Sequence, residues 1–366
     1  MESDCYNAAR AVAQIDTAAI ARNYRHIAAH CGGRTLAVVK ANAYGHGISL
    51  VLPALCAAGC DFFAVATLQE ALEVRALAPS ADILILGYTS PAAAPLLIRH
   101  NITQAVFSAP YATALSCAAE GVGRVRAHLK INGGMQRLGF APNEAPALAS
   151  TLQAPNLHVW GAFVHLPCAD TNLAQTKRIL GEFRALCHAL PRKLFLHAAA
   201  SAAALSLPQS HLNGVRVGLA LYGYAPVPTS LPLCPAMRLA APILQLHRLP
   251  SGTPVGYGGS FITARPTLLG VLPCGYADGL SRDLSGMQVT LLHGGQRFAG
   301  RLAGRICMDF CTVDLTDTPA LVGDRVVLWE NAAVAAAYRG TIPYEILTAV
   351  SARVPRQKGE NADGLL

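Results

Sequence analysis

The sequence predicts an α/β chain, a closed (β/α)8 barrel of the TIM type followed by a mainly β C-terminal domain. Between residues 35 and 223, apolar runs that end in small or polar residues alternate eight times with alanine-rich, helix-competent stretches. Eight beats over about 190 residues favour closure over an open doubly wound sheet. After Tyr224 a connection rich in proline (Pro226, Pro228, Pro232, Pro235) leads to strand-like runs without long helical partners. The 366 residues exceed one compact core of usual size, so the expected division is a barrel over 1–232 and a β-rich domain over 233–366.

The runs expected as barrel strands are Leu36–Val39, Phe62–Thr67, Ile83–Thr89, Gln104–Ser108, Val125–Ile131, His158–Leu166, Lys193–His197 and Gly214–Leu221. Between them Ile48–Ala58, Leu68–Leu77, Tyr111–Glu120, Ala145–Leu152, Asn172–Leu190 and Ala202–Leu207 read as helices. Ile243–Leu249, Leu268–Leu272, Gln288–Leu292, Cys311–Leu315 and Val326–Glu330 read as strands of the second domain, and Pro343–Ser351 as a last helix. The polar tail from Gln357 is expected to fray, and the first dozen residues can pair with either domain.

Composition narrows the function. Hydrophobic residues make up 52% and charged residues 14%, enough for a substantial core, yet Gly, Pro or charge interrupts every apolar run before it reaches membrane-spanning length. The start, MESDCYNAAR, carries two acids where a secretory signal carries basic and apolar residues, so a cytoplasmic protein is expected. Eleven cysteines without a CxxC pair indicate neither a disulfide framework nor a metal site. A net charge of +8 suits anionic ligands, but no basic run or interleaved aromatic patch points to nucleic acid.

Lys40 ends the first apolar run, in LAVVKANAYGHG, where barrel enzymes place catalytic groups. A partly desolvated lysine there loses basicity and becomes an amine able to form a Schiff base, most familiarly with pyridoxal phosphate. Later runs deliver His128, Lys130, His165, His197, Ser201, Arg216, Gly218 and Tyr222 near their C-terminal ends. Basic and hydroxyl groups converging on one rim describe a pocket for a phosphorylated, anionic cofactor.

From about Val12 to Arg356 the sequence resembles the alanine racemases, pyridoxal-phosphate enzymes of fold type III. The matching segments are AVVKANAYGHG, KINGGMQRLGF, FVHLPCAD, HAAASAA, VRVGLALYG, VGYGGSF, LPCGYADG, GRICMD and PYEILTAVSARVPR. The resemblance implies that Lys40 holds pyridoxal 5′-phosphate and acts as one proton carrier, with Tyr257 as the other on the opposite face of the substrate Cα. It implies His165 and Arg216 as a polar relay, with Arg216 facing the cofactor's ring nitrogen. Tyr44, Ser201 and the amides of Gly218 and Leu219 would bind phosphate. Arg137 and the Met308 amide would bind the substrate carboxylate, with Tyr276 and Cys307 walling the pocket and Asp309 behind them.

Lys130 matches a lysine that many relatives carry carbamylated. Asn132 and Gly133 stand where the commoner pattern has Asp and Thr, which leaves the modification open here. Ala200 and Ala352 replace an asparagine and a tyrosine that lie near the phosphate in relatives, so weaker cofactor retention is expected. In the family the β domain of a second subunit completes the site, which implies a head-to-tail homodimer. Barrel amino-acid decarboxylases and single-domain pyridoxal-phosphate carriers are the rival classes, and Tyr257 argues against both. Broader substrates such as serine stay open, as does the choice between supplying D-alanine to peptidoglycan and degrading it.

Overall fold

The computed structural model describes residues 10–359. By contacts the chain forms two compact units, one from Ile20–Ala43 and Val51–Cys234, the other from Met1–Ala19, Tyr44–Leu50 and Pro235–Leu366 as far as these are described.

In the first unit eight parallel strands close a barrel: Arg34–Val38, Phe62–Val65, Asp82–Ile85, Thr103–Val106, Val125–Ile131, Leu157–Val164, Phe195–His197 and Gly214–Val217. The last pairs with the first, Leu36 opposite Arg216 and Ala37 opposite Val217. Each run expected as a barrel strand falls on one of them. Phe62–Val65 and Thr103–Val106 are buried at every position, the condition for strands covered by side chains within and helices without. Helices Leu68–Leu77 and Ala145–Leu152 occupy their expected ranges. Leu68–Leu77 begins on a capping box, in which Thr67 Oγ1 accepts from Glu70 N at 3.3 Å and the Glu70 carboxylate accepts from Thr67 N at 3.2 Å. Helix Thr17–Cys31, which the sequence reading passed over, starts where Asp16 accepts from Ala19 N at 2.7 Å.

Residues opening the barrel strands form an ion-pair network. Arg34 meets Asp61 at 3.0 Å and Asp82 at 2.8 Å, and Arg126 meets Asp82 at 2.8 Å. Arg126 also lies over the Trp160 ring, 4.8 Å from its centroid. This is the N-terminal end of the barrel, where charge pairs serve stability.

The second unit is a nine-stranded sheet. Its order runs Gln245–Leu249, Thr267–Leu272, Cys311–Asp314, Gln296–Ala303, Gln288–His293, Arg325–Trp329, Met237–Pro242, Val12–Ile15 and Arg356–Lys358. Several features depart from the sequence-based expectation, among them strand Met237–Pro242 and helix Ala332–Arg339, which it did not include. Val12–Ile15 lies between Met237–Pro242, antiparallel, and Arg356–Lys358, parallel, so this strand belongs with the β-rich unit although it precedes residue 232. Val12, Ala13 and Ile15 are fully buried there, a cover that an unpaired leading segment would lack. Gln357 and Lys358 are paired in the same sheet where fraying was expected; residues from 360 onward lie outside the described part. Strand Gln296–Ala303 was not anticipated because QRFAGRLA lacks clean alternation. It is specified instead by the two-residue turn of Gly294 (φ 54°) and Gly295 (φ 74°), which matches hairpin twist.

Among the described residues no helix is long and apolar enough to cross a membrane.

Candidate active site

Lys40 follows the first barrel strand directly and opens a turn in which Ala41, Asn42, Ala43 and Tyr44 all have φ of 53–54°. L-residues resist this left-handed conformation, at about 1–2 kcal/mol each. Hydrogen bonds hold the turn. Ala43 N donates to Val39 O at 2.9 Å, and Ala41 N donates to Glu70 Oε1 at 2.7 Å. The other oxygen of Glu70 accepts from Ala66 N at 2.8 Å, so one carboxylate ties the lysine turn to the end of the second strand. Burial, and next the Arg137 charge, push the Lys40 amine below its ordinary basicity, against an opposing pull from Glu70.

The groups around Lys40 are nearly all basic. Lys130 is lowered to about 7 by burial, then by Arg216 and Arg137, and its Nζ donates to Ile131 O at 2.5 Å. His165 is lowered to about 3 by burial, then by Arg216, Lys130, Arg137 and Lys40, so it is neutral at pH 7. Arg216, 4% exposed, is lowered to about 9 by burial and keeps its proton at neutral pH. Among the described residues Glu70 is the carboxylate that opposes these cations, through Lys40. A rim so short of counter-charge is electrostatically prepared for an anionic ligand.

Arg216 is fixed with unusual completeness. NH1 donates to His197 Nδ1 and His197 O, both at 2.9 Å, and NH2 donates to Val164 O at 2.8 Å and Ala198 O at 3.0 Å. Of the five guanidinium donors, Nε–H alone is uncommitted among the described residues. Ser201 Oγ accepts from Gly218 N at 3.3 Å and from Ala220 N at 3.2 Å, which gathers the predicted phosphate group of Ser201, Gly218 and Leu219 at one corner of the rim. Arg137 is exposed on loop 132–140, whose shape is set by Asn132 Oδ1 accepting from Gly134 N at 3.1 Å and Gln136 N at 3.3 Å.

The remaining predicted residues lie in the β-rich unit. Tyr44 is buried, its ring 5.9 Å from that of Tyr344, and burial with the Tyr344 charge pushes its phenol up. Tyr257 is 69% exposed on a turn flanked by Gly256 (φ 72°) and Gly258 (φ 70°). The turn stands on an apolar cluster of Val255, Leu269 and Ala303 with Leu249 and Phe261 packed against it. A Cβ on Gly256 would lie 3.4 Å from Arg305 N, so the turn sits close to the segment leading to Cys307 and Met308.

That segment is clamped from the other side. Tyr276 N donates to Cys307 O and Ala277 N to Met308 O, both at 3.0 Å. Asp309 accepts from Arg353 at 2.7 Å, and Arg353 also reaches buried Asp278 at 3.4 Å. The Met308 amide donates to no acceptor among the described residues, whereas Cys307 N donates to Phe310 O at 2.9 Å.

The family models for the alanine racemase N-terminal and C-terminal domains match residues 15–226 and 236–358. The chain belongs to the alanine racemase family. The alanine racemase of Desulfovibrio desulfuricans is 40% identical over 361 residues, covering 94% of this chain and 96% of that protein. The crystal structure of the biosynthetic alanine racemase from Pseudomonas aeruginosa superposes with a TM-score of 0.85 at 37% identity, over 96% of this chain and 99% of that one. The alanine racemase from Bacillus anthracis with bound L-Ala-P gives a TM-score of 0.88 at 28% identity, over 98% and 97%. As a member of this family the chain is an isomerase acting on alanine.

Two residues of this racemase fold that shape the site escaped the sequence reading. Glu70 is detectable as the last position of Thr-Leu-Gln-Glu, a capping-box pattern, but nothing local says that its free oxygen reaches the Lys40 turn. Asn132, noted only as a departure from the commoner pattern, organises the Arg137 loop.

Proposed function

We propose that the racemase reaction uses pyridoxal 5′-phosphate and two proton carriers, Lys40 and Tyr257. The observation that carries this reading is the Lys40 amine, lowered in basicity and set among basic groups with little counter-charge, which fits an anionic aldehyde. When bound, the cofactor supplies an aldehyde that bonds to amines and a ring that withdraws electron density from the substrate Cα.

Lys40, with part of its charge preference removed, would hold the cofactor at its aldehyde and, with its amine free again once the substrate amine has taken its place, would take or return the Cα proton on one face. Inversion needs a second acid/base on the opposite face, the role of Tyr257. Arg216 would present its uncommitted Nε–H to the ring nitrogen; a guanidinium has no acceptor with which to take that ring's proton, so it would leave the nitrogen unprotonated and favour proton exchange at Cα over transamination. His165, neutral at pH 7, belongs to the same polar relay. Ser201, the Gly218 and Leu219 amides and Tyr44 bind the phosphate. Arg137 and the open Met308 amide bind the substrate carboxylate, between walls formed by Tyr276 and Cys307, while Asp309, held by Arg353, steadies the Met308 loop.

Lys130 at about 7 offers a neutral amine to carbon dioxide, which supports its carbamylation; a crystallographic map with a plain ammonium would end that idea. Ala200 and Ala352 remove two phosphate contacts and favour looser cofactor retention. The protein acts in the cytoplasm as a head-to-tail homodimer, with Tyr257 and Met308 supplied to each barrel by the other copy.

Incubation with L-alanine in deuterium oxide is expected to yield D-alanine carrying deuterium at Cα. Release of carbon dioxide without D-alanine would overturn the reading. Co-expressed Lys40→Ala and Tyr257→Phe chains should recover about a quarter of the sites if these are shared between copies; verified mixed dimers without activity would defeat the shared site.

A further inference from the structure

Inside the barrel, His197 and His128 form a hydrogen-bonded pair that no step of the proposed reaction uses. His197 Nε2 lies 2.9 Å from His128 Nδ1, and His197 Nδ1 lies 2.9 Å from Arg216 NH1. Both imidazoles are fully buried. Burial first, and then neighbouring charges that for each ring include Arg216, hold both neutral.

In a neutral imidazole one nitrogen donates and the other accepts. A guanidinium only donates, so His197 Nδ1 must accept from Arg216, which puts the His197 proton on Nε2. That proton then points at His128 Nδ1, which must accept in turn, and the His128 proton is forced onto its own Nε2. Each tautomer is thus dictated by the residue before it, beginning at Arg216.

At the far end of the chain His128 Nε2 has no hydrogen-bond partner among the described residues, and the imidazole meets the Trp160 ring in a T-shaped contact, centroids 4.1 Å apart. An N–H near an aromatic ring keeps a weak partner where a bare polar atom in hydrocarbon would have none. A Cβ at position 161 would come within 2.3 Å of His128 Nε2, so Gly161 is what allows the ring to occupy this place.

The geometry points to His197 and His128 as positioning residues: a tautomer relay that presents an acceptor to Arg216 NH1 and so holds the guanidinium with Nε–H as its single uncommitted donor. Either reversed tautomer would set an N–H against a guanidinium N–H and turn the arginine away from that pose. What Nε–H meets rests on the pyridoxal-phosphate reading; the relay itself does not.

Two measurements separate these claims. Long-range proton–nitrogen spectra of ligand-free protein carrying 15N-histidine, assigned with His197→Asn and His128→Asn, should show both rings as neutral Nε2–H tautomers. An Nδ1–H tautomer or an imidazolium at His197 would overturn the relay without any need for an active enzyme. Titration with pyridoxal 5′-phosphate should show His197→Leu binding at least about tenfold more weakly, and His197→Asn, whose amide oxygen replaces the Nδ1 acceptor, within about threefold of the parent. Equal binding by His197→Leu and the parent would also overturn it. Failure of the parent protein itself to bind pyridoxal 5′-phosphate would sink the cofactor reading and leave the tautomers to decide the relay.

Discussion

The two ends of the barrel treat charge in opposite ways. At the N-terminal end Arg34 and Arg126 are matched by Asp61 and Asp82 at 2.8–3.0 Å. Burial pushes the Asp82 carboxyl up, but its bonds to Arg126 and Arg34 outweigh this and hold it below the usual range. At the C-terminal end Lys40, Lys130, Arg137, His165 and Arg216 act on one another, with Glu70 the opposing carboxylate among the described residues. The first arrangement satisfies its charges internally and stabilises the fold. The second leaves them unsatisfied, which lowers the basicity of its amines and makes the rim costly until an anion arrives. The difference teaches where to look for function: charge that the protein itself neutralises serves the fold, whereas charge left over is meant for a ligand.

The largest effect should come from removing the reactive amine at the unbalanced end. Lys40→Ala is expected to lower kcat/KM by about 10⁴-fold or more, since it deletes both the bond to the cofactor and a proton carrier. Its folding stability should be unchanged or higher, because a partly buried cation is lost. A variant that kept more than a hundredth of the activity, measured as D-alanine formation, would break the assignment of this end to chemistry.

Next comes the pH dependence of stability at Lys130. Its pKa is about 7 in the folded protein and near 10.5 when unfolded. Between these values the unfolded chain holds a proton that the native one has released, so stability rises with pH across that window by about 1.4 kcal/mol per unit. Below 7 the cost of burying the charge is felt in full. Lys130→Met should therefore exceed the parent in urea denaturation at pH 6.5 and lose that advantage by pH 10. A flat difference would mean that Lys130 does not titrate as a free amine, the behaviour carbamylation produces.

At the balanced end the expected signs reverse. Asp82→Asn strips a counter-charge from Arg34 and Arg126 together and should cost about 1–3 kcal/mol of stability by urea denaturation, while kcat/KM stays within twofold. Loss of activity with intact stability would erase the contrast between the ends.

Much of this was legible in the sequence because barrel strands buried on both faces leave continuous apolar runs, as in Phe62–Val65. The residues ending those runs, Lys40, His165 and Arg216, could be read in the same pass. What could not be read depends on long-range pairing or on backbone shape. Val12–Ile15 finds its neighbours at Met237–Pro242 and Arg356–Lys358, which no local pattern announces. The left-handed turn after Lys40 contains no glycine, the residue that normally signals such a conformation, so Ala-Asn-Ala-Tyr reads as an ordinary strand exit. The His128–His197 pairing likewise joins two strand interiors 69 residues apart.

The smallest expected effect tests the one carboxylate that the unbalanced end retains. Glu70 accepts from Ala41 N through Oε1 and from Ala66 N and Thr67 N through Oε2. Glutamine offers a single acceptor oxygen, so Glu70→Gln must release either the lysine turn or the strand end and should lose about 1 kcal/mol of stability. It also removes the charge that supports the Lys40 ammonium, so the Lys40 pKa should fall further and the acidic limb of the pH–rate profile should move to lower pH. An acidic limb that stays in place despite the stability loss would show that Glu70 shapes the Lys40 turn without tuning its basicity, and would make the C-terminal rim more one-sided in charge than it is drawn here.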